Sequence, residues 1–130
     1  MLRSLIASCV FLVSIASATL AQSNASPLRG ASVLVAAIHM ARSCSGVELA
    51  GYSDEDAFIQ GASKTLRKQG FRRQAVLKQV YYTRTEDLMA ASNQLLAGVG
   101  TSLEDKRSLC AHANKVANKR DLVGQFLSKE

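Results

Sequence analysis

The chain has 130 residues, with 16 Lys and Arg against 10 Asp and Glu, so its formal net charge is +6. Trp is absent, aromatic residues make up 5% and Pro27 is the one proline. This length suits a single domain that can bury a core, but only a modest one. Few aromatic residues beside plentiful Ala, Leu, Lys, Gln and Arg favour helix over sheet.

The N-terminus, "MLRSLIASCVFLVSIASATLAQS", has the layout of a secretory signal peptide. Arg3 precedes an apolar run over 5–15 that is too short to span a bilayer, and Ala21 completes a cleavage site. Cys9 resembles a lipid-attachment cysteine, but most of the apolar run follows it, which argues against lipidation. The sequence predicts a periplasmic or secreted protein without a transmembrane segment after cleavage, divided into a signal peptide (1–21), a flexible leader (22–27) and one helical domain (28–130).

Two cysteines, Cys44 and Cys110, remain after cleavage, and cysteines in an exported chain usually pair. By constraining the unfolded chain, such a crosslink would raise the free energy of unfolding by roughly 4 kcal/mol. The alternative is a metal site that also uses His39 and His112. On a helix His39 lies about 140° from Cys44, and His112 about 200° from Cys110, so neither pair converges on an ion. We expect a disulfide, with no metal and no cofactor.

The first two predicted helices have clear start and stop signals. Ser26 and Pro27 are a typical helix start, and the apolar stretch 31–41 predicts a central helix packed on several sides. A second helix is predicted with Ser53 as its cap and Gly70 as its stop. Its buried stripe recurs every four residues, at Phe58, Ala62 and Leu66.

A third helix is predicted to open at Arg72 and Arg73 and a fourth to be capped by Thr85. The fourth should turn Leu88, Ala91 and Leu95 inward. A capping box of Ser102 and Asp105 predicts the start of the fifth, and Asp121 the start of a short final one. No strand-like alternation longer than four residues occurs. The fold class expected is therefore all-α: a compact bundle of five or six short helices with one disulfide.

The segment between Asp56 and Glu86 is basic, because it contains several cations and no acid. The helix dipole explains part of this cluster of cations, because cations are favoured in the last turns of a helix. Arg72 and Arg73, at a helix start, are not explained in that way. The segment predicts contact with an anionic protein, an envelope polymer or a membrane surface, through Lys64, Arg67, Lys68, Arg72, Arg73, Lys78 and Arg84. The competing interpretation is a solvated face without a partner.

Other site classes find less support in the sequence. Export removes most nucleic-acid contexts, and aromatic residues for base stacking are few. No nucleophile–base motif, P-loop or dinucleotide-binding glycine pattern occurs, and the acids at 54–56 are typical of a helix start. We therefore expect a protein that is not an enzyme. Its oligomeric state does not follow from the sequence.

The stretches "ARSCSGVEL", "GYSDEDAFI" and "LCAHANKVANKRDLVGQFL" resemble small exported two-cysteine helical proteins of alphaproteobacteria, a domain of unknown function. The resemblance covers about residues 28–127 and implies a periplasmic helical domain with one disulfide and no activity. The basic segment departs from that pattern. Periplasmic acid-stress chaperones are similar in size, fold class and single disulfide, so two functions stay open: a non-catalytic binding or accessory protein, or an acid-stress chaperone of client proteins.

Overall fold

The computed structural model of the protein describes residues 25–130, which form five α-helices and a small antiparallel sheet. The predicted signal peptide (1–21) and the beginning of the predicted leader lie outside the described residues. The all-α fold class is confirmed, with two three-residue strands in addition. The elements in chain order are α1 (Pro27–Ser43), β1 (Val47–Leu49), α2 (Glu55–Lys68), α3 (Arg73–Tyr82), α4 (Thr85–Ala97), α5 (Lys106–Val116), a 3₁₀ turn (Gly124–Phe126) and β2 (Leu127–Lys129).

Helix α1 is the centre of the fold. It begins as the sequence predicts: Pro27 is its first residue, and the Ser26 hydroxyl accepts a hydrogen bond from the backbone N–H of Arg29 at 3.2 Å. It contacts the other four helices and β1. The contact with α3 is close, because a Cβ at Gly30 would lie 2.7 Å from a methyl carbon of Val76. The predicted central helix is confirmed.

The crossing of α1 and α4 uses a buried serine. The Ser92 hydroxyl donates to the backbone carbonyl of Ser32 in α1, at 3.2 Å, so its polar atom is satisfied inside the core. Leu96 lies one turn after Ser92 and is 1% exposed, whereas Leu95 and Ala91 are partly exposed. Of the three residues predicted to face inward, Leu88 is buried as expected, whereas Ser92 and Leu96, each one residue later than Ala91 and Leu95, are the other buried positions of α4.

Two helices are capped one residue away from the predicted position. In α2 the cap is Asp54, whose carboxylate accepts from the N–H of Ala57 at 2.7 Å, and Ser53 lies outside the helix. The carboxylate is the stronger acceptor at the positive end of the helix. In α4, Thr85 is the first helical residue, and Arg84 precedes it without a side-chain capping bond.

The last helix, α5, starts later than predicted, at Lys106. Asp105 is its cap, accepting from the N–H of Ser108 at 3.3 Å. Ser102 accepts from the N–H of Asp105 at 3.2 Å and so closes a turn before the helix instead of starting it. Leu103 is buried in this turn, so it contributes to the core although it lies before the helix.

The predicted final helix is absent from residues 121–130, which form the 3₁₀ turn and β2 instead. Asp121 does act as a cap, since its carboxylate accepts from the N–H groups of Val123 and Gly124 at 3.1 and 2.8 Å. The chain then extends and pairs β2 with β1, with Glu48 opposite Ser128. The two strands are distant in sequence, and three residues are too few to show the alternation that predicts a strand.

The disulfide is confirmed. Cys44, the buried C-cap of α1, is bonded to Cys110 in α5, with the two Cα atoms 5.2 Å apart. This distance lies within the usual range for disulfides. The bond fastens the end of the central helix to the last helix across 66 residues of sequence.

Candidate partner-binding surface

Helix α2 turns three cations away from the core. Its apolar stripe is fully buried, as predicted, so Lys64, Arg67 and Lys68 lie on the opposite, exposed side. Arg67 and Lys68 belong to the last turn, where the helix dipole favours them. Gly70, with φ of +99°, then ends the helix in the left-handed conformation that glycine adopts most easily.

Helix α3 continues the basic surface on the other side of this turn. Arg72 precedes the helix without a capping bond and is exposed. Val76 and Leu77 face the core, which turns Lys78 outward. Tyr82 lies one turn after Lys78 on the same side and is 84% exposed. Helices α2 and α3 pack against each other, so the cations of both belong to one helical hairpin.

Arg73, the second arginine of the helix start, is held within the protein. Its Nε donates to the hydroxyl of Ser63 at 3.0 Å, and its Nη2 to the side-chain oxygen of Gln60 at 2.9 Å. Both acceptors lie on α2, so Arg73 fastens the start of α3 to the middle of α2. The sequence grouped Arg73 with partner-contacting residues, and its guanidinium already has structural acceptors.

Arg84 also has a neighbour within the chain. Its Nε lies 3.2 Å from a carboxylate oxygen of Asp87, three residues later, and both side chains are largely exposed. Exposed pairs of this type contribute little to stability, so Arg84 remains available to exchange its partner. The other ion pair found among residues 25–130 joins Arg42 to Glu55, where the hydrogen bond raises the pKa of Arg42.

Besides Arg73, whose acceptors are neutral, five cations of the basic segment have no acidic partner in the described part of the chain. We call them the basic surface: Lys64, Arg67, Lys68, Arg72 and Lys78. All five are exposed. Residues 57–85 contain no acid, so the acids on these two helices are Glu55 and Asp56 in the first turn of α2, at the opposite end of that helix from Arg67 and Lys68.

The two arginines at the start of α3 should respond differently to substitution. Arg73→Gln removes the guanidinium bonds to α2, and we expect it to lower the free energy of unfolding by about 1 kcal/mol. Arg72→Gln removes an exposed charge and should change that free energy by less than about 0.5 kcal/mol. Chemical denaturation of both variants measures the difference. Equal effects would contradict the structural role of Arg73.

The histidines and cysteines do not assemble into a metal site. Among residues 25–130 no group of three His, Cys, Asp or Glu side chains has a metal-binding arrangement. His39 and His112 are both partly exposed, and Cys44 and Cys110 are bonded to each other in the disulfide. A shallow groove of about 880 Å³ beside the disulfide is lined by Lys106 and Arg107 among others.

Sequence reasoning missed two features of this surface. Tyr82, which is 84% exposed, extends the outward side of α3 beyond Lys78, and its neighbour Tyr81 is 49% exposed. The exposure of Tyr82 could have been predicted, because the helical period places it on a different side of α3 from the buried Val76. The bonds of Arg73 to α2 had no signal, because they depend on how the two helices pack.

Comparison with protein-family models, curated proteins and solved structures found no match. The resemblance to exported alphaproteobacterial helical proteins therefore stays a prediction. No helix in residues 25–130 combines the length and apolar character needed to cross a bilayer.

Proposed function

We propose that the protein is an exported, non-catalytic binding or accessory protein whose basic surface contacts an anionic partner in the periplasm or outside the cell. The observation that carries the proposal is the set of five exposed cations without acidic partners on the hairpin of α2 and α3. An anionic protein, envelope polymer or membrane surface would complement them. Solvent-exposed charges of one sign steer such partners and favour their binding.

The architecture around the surface supports a rigid scaffold for contact. The α2 stripe is buried beneath the cations, and Arg73 fastens α3 to α2 through Gln60 and Ser63. A second fastening joins the turn after α2 to the 3₁₀ turn, because the side-chain amides of Gln69 and Gln125 bond to each other at 2.6 and 3.1 Å. Because the two helices are fastened, the backbone that carries the cations loses little conformational entropy on binding.

The proposed compartment depends on two features. The signal peptide predicted over residues 1–21 directs export, and the Cys44–Cys110 disulfide is typical of an oxidising compartment. The acid-stress chaperone stays an alternative prediction, and no contact of the described residues favours it over the binding role.

A pull-down from the envelope fraction of the native cell tests the proposal. The exported protein is compared with a variant of the surface, Lys64→Gln, Arg67→Gln and Lys68→Gln together. The matched control removes three exposed cations of α5: Lys106→Gln, Arg107→Gln and Lys115→Gln. We expect an anionic component to be captured at low salt by the native protein and the control, and lost with the surface variant. Equal capture by all three proteins would contradict the proposal.

A further inference from the structure

A second candidate site lies at the start of the central helix and shares no lining residue with the basic surface. The end of α4, the start of α1 and the segment before the 3₁₀ turn enclose a groove of about 360 Å³. Half of its ten lining residues are large apolar ones: Leu95, Leu96, Val99, Leu122 and Val123. Val99 is 51% exposed, more than a large apolar side chain in a packed core. The volume lies at the lower end of the range for small-molecule sites.

One cation in this groove, Arg29, is unpaired among residues 25–130. Arg29 lies in the first turn of α1, where the helix dipole disfavours positive charge, and it is only partly exposed. Its guanidinium has no hydrogen bond or ion pair among residues 25–130. An anion placed there would be attracted both by Arg29 and by the positive end of α1.

The remaining polar groups fix where such an anion could lie. Asp121 is the one acid in the lining, and one of its oxygens already accepts two backbone N–H groups of the 3₁₀ turn. Its negative charge disfavours an anion at its own end of the groove. Gln94 and His112, which also line the groove, can both donate hydrogen bonds. The anionic head therefore belongs beside Arg29, with the ligand's apolar part over the leucines and valines.

We propose that this groove binds a small amphipathic anion with one short apolar chain and a carboxylate head. The apolar lining contributes burial of the chain, and Arg29 contributes a charge-assisted bond to the head. The site is independent of the basic surface, since it shares no residue with it.

Titration with decanoate below its micelle concentration, followed by ¹H–¹⁵N NMR, tests the proposal. We expect saturable shifts at Leu95, Val99 and Leu122, and weaker binding of the neutral analogue decanol. Arg29→Gln should weaken decanoate binding about tenfold, because a charged hydrogen-bond partner is lost. Arg120→Gln, an exposed arginine outside the lining, should bind as the native protein does.

Two further variants distinguish binding in this groove from binding elsewhere on the protein. Val99→Ser should also weaken binding, and because Val99 is half exposed the fold should persist, as the same spectra verify. The triple variant of Lys64, Arg67 and Lys68 should bind decanoate normally, so failure here is distinct from failure of the proposed function. Shifts without saturation, equal binding of decanol, or equal affinities of Arg29→Gln and Arg120→Gln would overturn the proposal.

Discussion

Replacing Cys44 and Cys110 together by serine is expected to lower the free energy of unfolding by roughly 4 kcal/mol. The reason is the length of the closed loop: the bond joins residues 66 apart, and without it the unfolded chain regains much of its freedom. A domain of this size has a total stability of about 5–15 kcal/mol, so a large share depends on one bond.

Urea unfolding of the double variant and the oxidised native protein measures this effect. The exposed neighbour Ser45 supplies the control, because Ser45→Ala removes a hydroxyl beside Cys44 and leaves the bond intact. Native protein unfolded in reductant should resemble the double variant. A loss below about 1 kcal/mol, or free thiols on alkylation of the exported protein, would contradict the stabilising role of the bond.

Phe58→Ala should produce a loss of similar size, about 3–5 kcal/mol, through a different cause. Phe58 is completely buried, and its ring meets those of Tyr52 and Phe126 edge-on, with centroids 5.4 and 5.7 Å apart. Truncation would leave a cavity and remove both aromatic contacts. The three residues connect α2 to the β1–α2 loop and to the 3₁₀ turn.

The same unfolding measurement applies, with two comparison variants. Tyr82→Ala truncates an aromatic residue that is 84% exposed and should cost less than about 0.5 kcal/mol. Phe58→Leu keeps most of the apolar volume, so it should fold with a smaller loss than alanine even if alanine unfolds the domain. Similar losses for Phe58→Ala and Tyr82→Ala would show that the ring is not a core contact.

The helical part of the fold could be predicted because its signals are local. The start of α1 at Ser26 and Pro27, the α2 stripe and the stop at Gly70 each depend on residues within one or two helical turns. The caps at Ser53 and Thr85 were misplaced by one residue, because neighbouring residues compete for the same position and their relative strengths depend on the final geometry.

The remaining differences come from contacts between distant segments. The pairing of β1 with β2 and the buried Ser92 against α1 require knowledge of which elements are neighbours. In the candidate site, the exposure of Lys64, Arg67 and Lys68 follows from the helical period alone. The bonds of Arg73 and the groove at Arg29 do not, because each is formed by at least two elements that meet in the folded chain.

The central proposal is that the basic surface binds an anionic partner, and that the net charge of the protein alone does not account for the binding. Its most direct test is the salt dependence of binding to immobilised heparin, used as a polyanion probe. We compare the native protein with the Lys64, Arg67 and Lys68 triple variant and with the Lys106, Arg107 and Lys115 control on α5, since both variants lose three charges. We expect weaker binding and a shallower salt dependence for the surface variant, and near-native behaviour for the control. Equal losses in the two variants would contradict the proposal.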